Sequence, residues 1–219
     1  MIHIPLFFLL AVLLYFVSRK TIHSCFFFFS RFLKHPQAAF RMMALLYFPG
    51  TLIHEMSHMV MAMMLNLKVR DISLIPKVRG STLKLGTVWY EKKDVVRGLM
   101  VGIAPFFAAM FVFWFIDTWR LLYMNMMIGA LVSYIVFAVS STMFSSKQDL
   151  VDLVYVIPIV LVLVALGYIF RANVVPVIAY IDITGLENFF AIVNSYLIFS
   201  LILNSGIIVV LSIILKLFR

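Results

Sequence analysis

Apolar side chains in this chain are gathered into long runs separated by short polar stretches. Six runs, 2–17, 42–67, 98–116, 121–144, 150–170 and 189–215, hold 16 to 27 residues each with few or no charges, and are bounded by charged residues or by Pro and Gly. A helix rises about 1.5 Å per residue, so runs of this length suit a hydrocarbon layer about 30 Å thick. The last of them, 27 residues long, contains no Asp, Glu, Lys, Arg or His. The pattern predicts an all-α polytopic membrane protein with about six transmembrane helices.

Two connections are long enough to form structure of their own. Residues 18–41 place Arg19, Lys20, Arg31, Lys34 and Arg41 around an aromatic cluster, which predicts a basic segment lying in the membrane interface with its cations among headgroups. In 68–97 the periodicity changes. Val69, Ile72 and Leu74 precede a break at Pro76-Lys77-Val78-Arg79-Gly80, after which Leu83 and Leu85 alternate with Thr82, Lys84 and Gly86. Alternation about a turn predicts a small β-hairpin between the second and third spans.

Composition excludes a water-soluble globule. The 219 residues are 64% hydrophobic and 12% charged, whereas a soluble domain is about 45–50% apolar and 25% charged. The net charge of +9 does not point to nucleic acid, because the cations flank the apolar runs, where they orient a membrane protein and meet anionic headgroups. Placing 68–97 in the cytoplasm puts 11 of the 18 cations on that side and both termini with them. The first 17 residues lack the leading positive charge and small-residue cleavage site of a secretory signal, so they are expected to be a retained anchor. One cysteine, Cys25, excludes an internal disulfide and a cysteine-based structural zinc site.

The second span carries the chemistry. It reads Phe48-Pro49-Gly50-Thr51-Leu52-Ile53-His54-Glu55-Met56-Ser57-His58, and the span's His and Glu residues all fall within five positions. This is the zinc signature His-Glu-x-x-His. With 5 His and 3 Glu in the chain, shuffling would produce it about 0.0015 times. Two His at i and i+4 share a helix face, as two imidazoles on one ion require, and Glu55 is placed to take the proton of an attacking water. Burying such groups at membrane depth costs about 2.5–3.5 kcal/mol each on insertion scales, so they are expected to face the interior and to act. Pro49-Gly50, one turn earlier, either opens the helix to water or only kinks it for packing.

A hydrolytic zinc site has three protein ligands and an open position. His3, His23 and His35 lie outside the core spans, and most of the nine acids lie in loops or at helix ends. The remaining candidates are Asp149 and Asp152 at the start of the fifth span. Asp149 is preferred, because it follows the polar Ser145–Gln148 stretch where the chain bends towards the membrane face shared with His58.

The HEMSH helix, the basic β-hairpin after it, the Gly102-Ile103-Ala104-Pro105 stretch and an Asp one span further on resemble the site-2 protease family of intramembrane zinc metalloproteases. The resemblance covers residues 42–152. It implies a three-helix catalytic core, Zn2+ held by His54, His58 and one Asp, Glu55 as general base, and a re-entrant hairpin, with Leu83 and Leu85, that holds substrate as an added strand. The chain departs from the family's Asn-Pro-x-Asp-Gly context, having Ser145-Ser146-Lys147-Gln148-Asp149-Leu150 instead. The organisation expected is an anchor helix and basic connector (1–41), a catalytic core (42–152) with its hairpin, and C-terminal transmembrane helices (153–219). The expected activity is hydrolysis of peptide bonds in or near transmembrane segments of membrane proteins, in the cell membrane of a prokaryote. Two alternatives stay open. One is a membrane zinc peptidase acting on short or lipid-modified peptides; the other is a zinc transporter or sensor, which needs the two His but no Glu55.

Overall fold

The computed structural model describes residues 2–33, 35–73, 77–79, 82–84, 87–91, 94–144, 162, 166 and 183–217. Within them lie five long helices: α1 (His3–Phe32), α2 (Pro36–Met64), α3 (Val95–Thr118), α4 (Met126–Thr142) and α5 (Ile183–Leu217). The helices α1, α3 and α5 are long and apolar enough to cross a membrane, and α4 is apolar but shorter, at 17 residues. Among the described residues the protein is thus predominantly helical, with three helices of membrane-spanning length and composition where about six spans were expected. The expected span 150–170 lies outside the described residues but for Val162 and Leu166.

The first helix does not end where its apolar run ends. It continues from residue 17 through Arg19 and Lys20 to Phe32, with no Pro or Gly to stop it. Its polar positions are accommodated inside the bundle: Ser18 and Thr21 are buried, and their hydroxyls donate to the carbonyls of Tyr15 (3.1 Å) and Val17 (2.9 Å). The chain breaks at Leu33, which is extended, and restarts at Pro36. Proline suits a first turn because its missing N–H has no intrahelical partner there.

Capping sets the later boundaries. Asp94 accepts from the Arg97 amide at 2.8 Å and begins α3. At the far end Arg120 takes a left-handed conformation with φ 49°. A 3-10 turn over Leu121–Tyr123 follows, and Asn125 caps α4 by accepting from the Ile128 amide at 2.8 Å. The run 121–144 is therefore a turn followed by a helix.

Between α2 and α3 the chain forms four short strands, β1 (Val69–Ser73), β2 (Lys77–Arg79), β3 (Thr82–Lys84) and β4 (Thr87–Tyr90). Antiparallel β1 and β4 pair Asp71 with Trp89 and Ser73 with Thr87, with a shift of register between Val69 and Asp71. Antiparallel β2 and β3 pair Val78 with Leu83. The single hairpin expected to turn at Pro76–Gly80 is not what forms: Lys77–Arg79, within that break, is itself a strand paired with β3, and β1 pairs with β4; residues 85 and 86, and so Leu85, lie outside the described set. Leu67 of the α2–β1 link packs with Ala62 and Val101, and Val69 and Tyr90 lie against that cluster, tying the strands to α2 and α3.

The main core joins Phe7 and Leu14 of α1, Phe113 of α3, Val136 of α4 and Val193 and Leu197 of α5. Phe113 stacks on Tyr196 with ring centroids 5.7 Å apart. The outward side of α1, with Phe8, Leu9, Val12 and Phe16 exposed, is what a helix needs when its surroundings are lipid rather than water.

Two interior features of α2 govern its approach to α4. A Cβ on Gly50 would overlap the Ala138 carbonyl group and lie 2.5 Å from Thr142 Oγ1, so the absence of a side chain lets the helices meet backbone to backbone. Pro49 cannot donate to the carbonyl of Leu45 four residues earlier. The Tyr134 hydroxyl of α4 supplies the missing donor, reaching Leu45 O at 3.3 Å and Leu46 O at 3.0 Å. These contacts give Pro49-Gly50 a packing role against α4.

Candidate metal centre

One face of α2 is turned inward along its whole length. Ala39, Met43, Tyr47, Gly50, Thr51, His54, Glu55, His58 and Ala62 are all buried, the spacing of three and four residues that defines a helix face. Polar groups interrupt this face only at its middle. Thr51 donates to the Tyr47 carbonyl at 3.0 Å and Ser57 to the His54 carbonyl at 2.6 Å, so neighbouring hydroxyls are satisfied within the helix. His54, Glu55 and His58 are 3%, 7% and 8% exposed, in keeping with an interior cluster.

The two imidazoles face each other across one helical turn. Their ring centroids lie 4.8 Å apart at an interplanar angle of 85°, and His54 Nε2 is 3.2 Å from His58 Nε2. His58 Nδ1 is 2.8 Å from the Val101 carbonyl oxygen of α3. A carbonyl only accepts, so His58 Nδ1 is the donor in this contact; the neutral ring then presents Nε2 as a lone pair, which accepts from His54 Nε2 across the 3.2 Å contact. Two nitrogens each about 2.0–2.1 Å from a tetrahedrally coordinated zinc ion are about 3.3–3.4 Å apart. The observed Nε2 separation suits that geometry, and the bond from Nδ1 to a backbone acceptor is the usual way a ligand histidine is oriented.

Among the described residues no group of three or more His, Cys, Asp or Glu comes together as a metal site. The preferred third ligand Asp149 and its competitor Asp152 both lie outside the described residues. Leu83 is in β3, opposite Val78. Asp94 caps α3. Glu91 is in an exposed ion pair with Arg70 at 3.4 Å.

The acceptor at Val101 was not singled out by the sequence, although a signal for it was present. Pro105 lies inside α3, and a proline four residues on leaves a carbonyl without its helical donor. The same rule applied to Pro49 identifies Leu45, the carbonyl reached by Tyr134.

Comparison of the chain with protein-family models, with curated proteins and with solved structures finds no match in any of the three.

Proposed function

We propose that this protein is an intramembrane zinc metalloprotease, similar to the site-2 protease family, that hydrolyses peptide bonds in or near transmembrane segments of other membrane proteins. The observation that carries the proposal is the pair of buried Nε2 atoms 3.2 Å apart, one of them on a ring oriented by a backbone carbonyl, in the same turn of helix as a buried Glu55. In this proposal His54, His58 and Asp149 hold Zn2+, which when bound supplies a Lewis acid for the scissile carbonyl. Glu55 takes the proton of the attacking water and passes it to the leaving amine. The surrounding helices exclude bulk water and hold the ligand helix against α3 and α4.

The further parts of the proposal are a multi-pass arrangement of about six spans, with the strands between the second and third, in a prokaryotic cell membrane. A substrate helix hides its amides in its own hydrogen bonds, so it must unwind before it is cut. In this proposal the edge of β3, which contains Leu83, offers the unwound segment replacement partners by strand addition, and Leu85, which lies outside the described residues, is the second expected contact.

The presence of Glu55 favours an enzyme over a transporter, since binding an ion for transport needs no general base. The test is metal analysis of the purified protein together with cleavage of a co-expressed helical membrane substrate. The wild type is expected to hold about one zinc per chain, and Glu55→Gln to retain the metal while losing cleavage by on the order of a hundredfold or more. Zinc-free wild-type protein, or undiminished cleavage by Glu55→Gln, overturns the proposal.

A further inference from the structure

Both interior prolines of the described helices, Pro49 and Pro105, release a backbone carbonyl, and the two carbonyls are used differently. In α2, Pro49 frees Leu45 O, which accepts from Tyr134 of α4. In α3, Pro105 removes the amide hydrogen that the Val101 carbonyl would otherwise receive. The group 2.8 Å from that carbonyl is His58 Nδ1, on the neighbouring helix. Val101 is fully buried, so its carbonyl oxygen has no bulk water to turn to, and its acceptor capacity is directed at the histidine ring. With Nδ1–H held in this way, His58 Nε2 faces His54 Nε2 as a lone pair.

We propose that Pro105 is a positioning residue of the metal centre: by depriving Val101 of its helical donor, it holds His58 in the Nδ1–H tautomer and aims Nε2 at the ion. The consequence for zinc affinity rests on the metal-centre reading above, whereas the consequence for the tautomer does not. An alanine at 105 restores an amide that competes for the Val101 carbonyl and draws it back along the axis of α3. His58 then loses its fixed orientation, while His54, Glu55 and the rest of α2 are untouched. Pro49 is the internal control, because the carbonyls it affects meet Tyr134 and not a histidine.

The experiment uses the full-length protein in lipid nanodiscs with 15N-labelled histidine rings, His58 being assigned by comparison with His58→Asn. In metal-free wild type the His58 signals are expected to show a protonated Nδ1 and an unprotonated Nε2. In Pro105→Ala they are expected to shift towards a tautomer mixture, and in Pro49→Ala to stay as in wild type. Zinc affinity, measured by competition with a chromophoric chelator, is expected to fall about 10- to 100-fold in Pro105→Ala and to be unchanged in Pro49→Ala. A wild-type His58 protonated on Nε2 overturns the proposal, even if Pro105→Ala fails to fold. So does a folded Pro105→Ala protein that keeps the wild-type tautomer and affinity. Wild-type protein that binds no zinc overturns the metalloprotease proposal alone, and the tautomer measurement still decides the role of Pro105.

Discussion

Gly50 shows how much a single position decides here. Its missing side chain is what allows α2 to approach the Ala138–Thr142 turn of α4, since an added methyl group would overlap the Ala138 carbonyl. Backbone cannot yield as a flexible side chain does, so the helices must separate or the local turn must distort. Gly50→Ala is expected to destabilise the protein by about 1–3 kcal/mol, and Gly50→Val by more, read as an earlier midpoint in detergent-induced unfolding. Because His54 lies one turn further along the same face, zinc content is expected to fall in the valine variant. A Gly50→Ala protein as stable as wild type would show that the helices are not in backbone contact.

Within a membrane a helix with an interior proline has a carbonyl to satisfy and no solvent to satisfy it, so such elements depend on their neighbours. Tyr134→Phe removes the hydroxyl that serves Leu45 and Leu46 and is expected to cost about 0.5–1.5 kcal/mol. The cost should shrink in a Pro49→Ala background, where the restored amide serves Leu45 itself. A double-mutant cycle measures that coupling, and additive effects would break the link between the two residues. The strands admit a similar backbone test. If β3 receives substrate through its main chain, proline at Leu83 is expected to slow turnover roughly five- to tenfold more than alanine does, about one hydrogen bond's worth. Equal slowing by the two substitutions, with normal folding and zinc content, would remove strand addition from the mechanism.

At the scale of the whole molecule, α1 runs alongside α5, and α2 lies against both α3 and α4. Helices α1 and α5 run parallel, with His3 beside Asn194 and Thr21 beside Asn204, so the start of α1 and the end of α5 lie apart and the two termini do not share one side as the charge pattern suggested. The Asn194 amide donates to the His3 carbonyl at 2.8 Å, and Ser141 of α4 donates to Asn204 Oδ1 of α5 at 3.2 Å. Such buried polar contacts join helices where apolar surface alone gives no preference over lipid. The proposed third ligand belongs to this scale, because it must be brought to α2 from a later part of the chain. Asp149→Ala is expected to lose zinc and activity together. Asp152→Ala, one turn further on, is expected to keep most of its zinc and lose only part of its rate, as an orienting partner of a ligand would. The opposite pattern of metal content would exchange the two roles.

Composition and periodicity were enough to determine that the chain is a helical membrane protein, because a run of apolar residues has few other places to go, and the spacing of His54, Glu55 and His58 put all three near one face of a single helix. The caps at Asp94 and Asn125, which begin α3 before residue 98 and α4 after residue 121, came from the structure. Tertiary structure decided what depends on a second element. The first apolar run did not reveal that α1 continues to Phe32, since burial of Ser18 and Thr21 against the bundle removes the cost that would have ended it. The sequence showed two prolines of equal standing, and only the packing of α2 against α4 and α3 determined that one carbonyl meets Tyr134 and the other His58. Spacing along a helix is fixed by its own geometry, whereas the partner of a freed carbonyl depends on which distant residue the fold brings within about 3 Å of it.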